Sequence, residues 1–295
     1  MMKNKNGRGE KLGAIIDREI VKNPHNIEIL NAFRPVMLAR DHTRLQVRLT
    51  PIPTSEFDPV RFSTGIPLIR QYALFLPDDP WEDMLAAMIP AMKAGFPNLE
   101  SDLERFEEAL INGRLVMNDY FAAFPVHGAD VIARWAVDLQ ASPEGIALLL
   151  HQLVRITLEN RAASTVVHTE NVPWNKGYCP VCGAFPSIAL IEEKIPRRRL
   201  HCSQCGHDWL FSRVICPYCE NEAQQGMDFF FIEDRAQESA FTCGRCRKYL
   251  ITLNRISDLN DLDMDVSAIN LTHLDVIMQG RGFAPMAAYA WNTFQ

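Results

Sequence analysis

Eight cysteines arranged as four C-x-x-C pairs constrain this chain more than any other feature of its sequence. They are Cys179, Cys182, Cys202, Cys205, Cys216, Cys219, Cys243 and Cys246, all within 68 residues and none left over. A C-x-x-C turn brings two thiolates to one ion, and the N–H groups of the turn can hydrogen-bond the sulfurs. Two such turns, set beside short strands, form a zinc-ribbon or rubredoxin-type site. Gly183 and Gly206 follow the second cysteine of their pairs, where glycine accommodates the left-handed backbone such turns often need. Pro180 and Pro217 follow the first cysteine and restrict the turn. Nineteen residues separate Cys182 from Cys202 and 23 separate Cys219 from Cys243, enough for a hairpin in each case. Only 10 separate Cys205 from Cys216. The spacing predicts one ion on Cys179, Cys182, Cys202 and Cys205 and a second on Cys216, Cys219, Cys243 and Cys246. The alternative is an interleaved grouping, first pair with third and second with fourth.

Other cysteine chemistry fits less well. Disulfides belong to exported chains, and the polar start of this one lacks the apolar stretch and small-residue cleavage site of a secretory signal. A thioredoxin-like redox motif needs one C-x-x-C at a strand-to-helix junction, not four in ribbon spacing. Closed four-sulfur coordination leaves no position for a substrate, so such sites hold folds rather than catalyse. A β module with so small a core depends on its metals to fold. All-sulfur tetrahedral ligation suits zinc or iron, and zinc is the default on ligand chemistry alone.

The rest of the composition narrows the class. With 295 residues, 47% hydrophobic and 22% charged, the chain is of globular type and long enough for two domains. The net charge of −6 is evenly spread. Residues 1–170 carry 18 basic and 22 acidic side chains, and residues 171–295 carry 12 and 14, so neither part has the basic excess of a nucleic-acid domain. The most apolar stretch, residues 145–158, is broken by His151 and Arg155 and falls short of the ~18–20 apolar residues of a membrane span. We expect a cytoplasmic protein. No phosphate-binding loop, nucleophile elbow or H-E-x-x-H motif occurs, and nothing in the sequence proposes an enzyme.

Residues 1 to about 165 read as helical. Met84, Leu85, Met88 and Ile89 mark an amphipathic helix after Trp81. Ser101-x-x-Glu104 fits a capping box opening a helix that ends near Asn112-Gly113. Ser142-Pro143 opens another, through Ile146, Leu149, Leu150, Leu153, Ile156 and Leu158. Pro35, Pro51, Pro53, Pro59 and Pro67 suggest short helices joined by loops over residues 35–67. Near residue 170 the helical period fades. Short β-prone runs follow at residues 187–191, 209–215, 229–232 and 249–253, and one helix is expected from Val266 to Met278. The domain division is therefore 1–170, helical, and 171–295, metal-binding with a C-terminal helix.

Three further features invite a function and also have a plain reading. Arg197-Arg198-Arg199 reads as a solvated hairpin tip, or as a contact for an acidic partner. His201 and His207 flank the second cysteine pair; with four cysteines per ion they are read as non-ligands that hydrogen-bond nearby. Asp258, Asp261, Asp263 and Asp265 lack the glycine and closing glutamate of a calcium loop and read as a solvated linker and helix start.

The segments GYCPVCGAFPSIALI (177–191), LHCSQCGHDWLFSRVICPYCEN (200–221) and CGRCRKYLITL (243–253) together resemble the formate dehydrogenase accessory protein family, FdhE. The resemblance rests on the order of the four pairs, the histidine before the second, the tryptophan after it and the close third pair. It covers residues 175–280, while the first 170 residues match only in being helical. It implies an α+β protein, an all-α N-terminal domain followed by two tandem rubredoxin-like modules, with iron on the cysteine pairs. It implies a cytoplasmic maturation factor that is not an enzyme and binds the formate dehydrogenase catalytic subunit; with the charge balance and hydropathy above, no nucleic acid, membrane insertion or small-molecule substrate is expected. The rival readings are a nucleic-acid-binding zinc ribbon and a rubredoxin-like electron carrier.

Overall fold

The computed structural model describes residues 6–52, 57–124, 126–194, 197–222, 226–257 and 262–293. Pro53, Asp258 and Asp261, singled out above, lie outside them. The chain forms two compact units built from interleaved segments. The first comprises Met1–Gly13, Asn31–Ile52 and Ala73–Asn160; the second comprises Ala14–Leu30, Pro53–Tyr72 and Arg161–Gln295. A division at residue 170 remains a proposal about the two kinds of sequence.

Eight helices appear among the described residues up to 169: α1 Asn6–Lys22, α2 Ile27–Gln46, α3 Pro59–Ser63, α4 Trp81–Gly95, α5 Glu100–Ile111, α6 Met117–Ala123, α7 Gly128–Leu139 and α8 Pro143–Thr169. The apolar stripe of α4 is buried, as its spacing predicts. Trp81 stacks on Phe121 with ring centroids 3.8 Å apart. At α8, Ser142 caps as expected, its Oγ accepting from the Gly145 N–H at 3.1 Å, and Pro143 takes the first helical position, where its missing N–H costs nothing.

Two helical expectations fail for local reasons. Ser101 does not cap α5, because a 3-10 turn at Pro97–Leu99 runs straight into the helix and starts it at Glu100. Pro35 does not break α2, a helix of 20 residues that runs through it. The proline removes one backbone hydrogen bond, and buried Phe33, Val36 and Met37 hold the helix around it. Of the short helices expected over 35–67, α3 appears after it, and a 3-10 turn follows just beyond that range at Leu68–Arg70.

From Ile188 onward the chain builds one mixed sheet: β1 Ile188–Glu192, β2 Arg198–His201, β3 Asp208–Phe211, β4 Met227–Ile232, β5 Arg235–Cys243, β6 Lys248–Ile256 and β7 Ala284–Pro285. Its order is β3-β2-β1-β6-β5-β4, with β7 beside β6. The two ribbon halves therefore share one sheet, joined by the parallel pairing of β1 with β6. The expected C-terminal helix is two, α9 Met264–Asn270 and α10 Thr272–Gly280. Leu271, Leu274 and Met278 pack from them onto Ile188, Ala240, Tyr249 and Ile251 of the sheet. Among the described residues no helix is long and apolar enough to cross a membrane.

Under α10 the Tyr249 hydroxyl donates to Asp275 Oδ1 at 2.6 Å, and Gln279 donates to the same hydroxyl at 3.0 Å. Burial raises the Asp275 carboxyl to about 7 despite the Tyr249 hydrogen bond. The folded chain therefore keeps a proton on Asp275 that an unfolded carboxyl releases near pH 4. Stability is lost on this account as pH rises from about 4 to about 7. Asp275→Asn keeps an acceptor for Tyr249 and removes that slope. Relative to the parent chain, the variant should be more stable at pH 8 than at pH 5, measured as urea midpoints; an equal difference at both pH values would contradict the assignment.

Candidate metal centres

The four C-x-x-C pairs fold as four copies of one turn. The N–H after the second cysteine donates to the carbonyl of the first: Gly183 to Cys179 at 2.9 Å, Gly206 to Cys202 at 2.7 Å, Glu220 to Cys216 at 3.0 Å and Arg247 to Cys243 at 2.8 Å. In three of them the first cysteine's own N–H reaches five residues ahead, Cys179 to Ala184, Cys202 to His207 and Cys216 to Asn221. In the fourth, Cys243 pairs with Lys248 at the end of the β5–β6 hairpin. The residue after each second cysteine is left-handed, with φ of 78° at Gly183, 69° at Gly206, 53° at Glu220 and 58° at Arg247. The turn thus imposes this conformation even where no glycine is present, at a cost of roughly 1–2 kcal/mol for a residue with a side chain.

The turns bring the sulfurs together in sequential order. Cys179, Cys182, Cys202 and Cys205 form one group and Cys216, Cys219, Cys243 and Cys246 the other, each with all sulfurs within 4.8 Å of one another. Sulfur separations are 3.4 Å for Cys179–Cys205, 3.5 Å for Cys182–Cys202, and 3.8 Å for both Cys216–Cys246 and Cys219–Cys243. A tetrahedron with metal–sulfur bonds of about 2.3 Å has edges of about 3.8 Å, so each group fits one ion. The sulfurs lie well beyond the ~2.0 Å of a disulfide. Neither His201 nor His207 belongs to either group.

Burial raises the thiols of Cys179, Cys182 and Cys205. At Cys202 burial works the same way, but hydrogen bonds from the three neighbouring sulfurs outweigh it and hold that thiol well below its ordinary value. In the second group burial again raises Cys216, and raises Cys246 to about 11. Cys243 goes down against its burial because the N–H groups of Cys246 and Arg245 point at its sulfur. A central cation would replace the protons that burial otherwise keeps on these sulfurs.

The groups differ in exposure. All four cysteines of the first are buried, whereas Cys219 and Cys246 of the second are only partly covered. The second site should therefore lose its ion to a chelator first, with Cys219 and Cys246 the first sulfurs alkylated in peptide mass spectra. Release of both ions in one phase would contradict this.

The first site is held from three sides. The N–H groups of Leu68 and Ile69 donate to the carbonyls of Pro180 and Val181, both at 2.9 Å, and the Tyr178 hydroxyl donates to Gly65 O at 2.7 Å. His201 lies between carboxylates, Nδ1 at 2.7 Å from Asp208 and Nε2 at 3.1 Å from Asp265. Burial opposes its charge, yet the two carboxylates push its pKa up to about 10. Ser203 donates to the same Asp265 oxygen at 2.9 Å and lies 2.6 Å from the Ser187 hydroxyl. Asp265 lies in the first turn of α9, as expected of a helix start, but it is a buried partner of the second turn and not solvated; Asp263 caps the helix, accepting from the N–H groups of Asp265 and Val266. A histidine and a serine bracketing Cys202 were the sequence signal for this network, but nothing local pointed to Asp265, more than 60 residues on.

The arginine run also departs from a solvated tip. Arg197 is exposed and Arg199 pairs with Glu192 at 3.2 Å. Arg198 is buried at 1% exposure, sandwiched 5.3 Å from the Phe211 ring centroid and 5.4 Å from that of Phe241. Its Nη2 donates to the carbonyls of Ser212 and Ile215, just ahead of Cys216.

No protein-family model matches the chain. A protein FdhE homologue of Aquifex aeolicus is 33% identical over 123 residues, 40% of this chain and 42% of that protein. One from Edwardsiella ictaluri is 34% identical over 109 residues, 36% of this chain and 34% of that protein, so the matches span less than half of these two relatives. A homologue from Yersinia enterocolitica is 26% identical over 229 residues, 72% of this chain and 65% of that protein. The crystal structure of the FdhE protein from Pseudomonas aeruginosa superposes with a TM-score of 0.68 at 18% identity, over 99% of this chain and 97% of that one, a likeness of fold.

Proposed function

We propose, proceeding from the FdhE family assignment that its curated relatives and structural neighbour support, that this chain is an accessory factor of formate dehydrogenase. In this reading it is a cytoplasmic, non-enzymatic protein that binds the catalytic subunit during maturation. The observation that carries the reading is the pair of four-cysteine groups joined by one sheet, on pairs whose order in the sequence resembles that family. Cys179, Cys182, Cys202 and Cys205 would hold one ion and Cys216, Cys219, Cys243 and Cys246 the other, as zinc on ligand chemistry or iron on family likeness. Iron in thiolate ligation supplies one-electron chemistry, whereas zinc supplies structure alone. The chain's own contribution is rigidity: four identical turns and the Asp265 network fix the loops that a partner would meet.

The test is anaerobic affinity purification of the full chain from its native cell, with metal analysis and mass spectrometry of what accompanies it. Co-purification of a formate dehydrogenase catalytic subunit is expected. Its absence from a folded, two-metal preparation would overturn the assignment of partner.

A further inference from the structure

Arg198, with the two arginines near it, points beyond metal binding. A solvent-open groove of about 620 Å³ is lined by Trp174, Arg197, Arg198, Arg213 and the apolar side chains of Leu210 and Val214, among others, and no acidic residue is among them. Arg198 Nε and Nη1 are buried and have no hydrogen-bond partner among the described residues. Burial lowers its guanidinium to about 10, which leaves it charged at neutral pH. A buried guanidinium with two unpartnered nitrogens, which carry three N–H donors, is costly unless an acceptor reaches it. The groove takes in Arg197 and Arg198 at the start of β2 and Leu210 and Phe211 at the end of β3, and β3 is the outermost strand of the sheet on its side, with no further strand beyond it among the described residues. Leu210 and Val214 are 43% and 54% exposed there. An unpaired edge is a template for an added strand.

We propose that this groove binds an extended, acidic segment of a partner polypeptide, which lies along β3 with its carboxylates on the arginine cluster and its alternate apolar side chains against Leu210 and Val214. The charge of the groove selects the sign of the partner, and its apolar lining selects a peptide over a small anion. The proposal rests on the accessory reading only in taking the occupant to be a polypeptide.

The test uses the full, metal-loaded chain and two blocked hexapeptides, one alternating glutamate with valine and one alternating lysine with valine. Binding is read from anisotropy of a labelled peptide and from Trp174 emission, taken as the difference from a Trp174→Phe control. The glutamate peptide should bind, the lysine peptide should not, and the exposed-site double variant Arg197→Glu/Arg213→Glu should weaken binding at least tenfold with both metals retained. Methylation of alternate peptide amides, which removes strand donors, should weaken it as well. Binding should also fall as salt rises. Equal binding of both peptides, no binding at millimolar concentration, indifference to the arginine reversals, or displacement by equimolar inorganic phosphate would each overturn the docking proposal. None of these outcomes bears on co-purification with formate dehydrogenase, so failure here is distinguishable from failure of the accessory reading.

Discussion

Cys216→Ser should take the chain from two bound ions to one and unfold the β4–β5–β6 side of the sheet while the first site keeps its ion. The reason is the scale of the terms. A structural zinc site contributes an apparent ~10–16 kcal/mol in small domains at neutral pH, whereas a whole domain is stable by only ~5–15 kcal/mol. The second site joins the turn after β3 to the β5–β6 hairpin, where Cys216 meets Cys246 and Cys219 meets Cys243; besides the sulfurs, Arg198 between Ile215 O and the Phe241 ring and Lys248 over the Tyr218 ring span them. Hydrogen exchange should therefore show lost protection in β5 and β6 with α4 and α8 unchanged, alongside a drop of one ion per chain by elemental analysis. Retention of both ions, or loss of helix protection throughout, would contradict this prediction.

Gly177→Ala should be as damaging although residue 177 ligates nothing. A Cβ there would fall on the backbone of Pro217, inside the Cys216–Cys219 turn. The position is fixed on both sides, since Trp174 Nε1 donates to Tyr178 O at 2.8 Å and Trp209 Nε1 to Lys176 O at 3.1 Å. Overpacking against side chains costs ~1–3 kcal/mol, and backbone is less able to yield, so we expect about 3 kcal/mol or more of lost stability. The distinguishing result is that a substitution two residues before the first site weakens metal retention at the second. Asn175→Ala, at an exposed position in the same segment, should do neither. Urea midpoints and metal content of both variants check this; a Gly177→Ala chain as stable as its parent would remove the close approach of the two turns from the account.

What could be read in the sequence was what is local. Each C-x-x-C turn closes through hydrogen bonds four or five residues long, so the spacing of the cysteines carried their geometry, and the apolar runs marked β1, β3, β4 and β6, although β3 ends at Phe211 and the rest of the 209–215 run leads into the Cys216 turn. The strands β2 and β5 were not legible, because Arg198–His201 and Arg235–Cys243 are too polar to show a β pattern; they are strands because their neighbours pair with them. The single expected C-terminal helix breaks at Leu271, which is buried against the sheet. Arg198 illustrates the same limit. Three consecutive arginines look solvated, and only Phe211 and Phe241, brought in by pairing across the sheet, make a buried place for the middle one. The strap from residues 65–69 onto the first turn, and Asp265 beneath His201, are likewise contacts between distant segments for which no local pattern exists.

The central claim is that two sulfur cages, each closed around one ion, hold this sheet in shape. X-ray absorption and elemental analysis of the anaerobically purified chain test it most directly, with two ions per chain expected, each surrounded by four sulfurs at about 2.3 Å. A reduced chain that holds no metal and still shows full hydrogen-exchange protection across β1, β5 and β6 would contradict it.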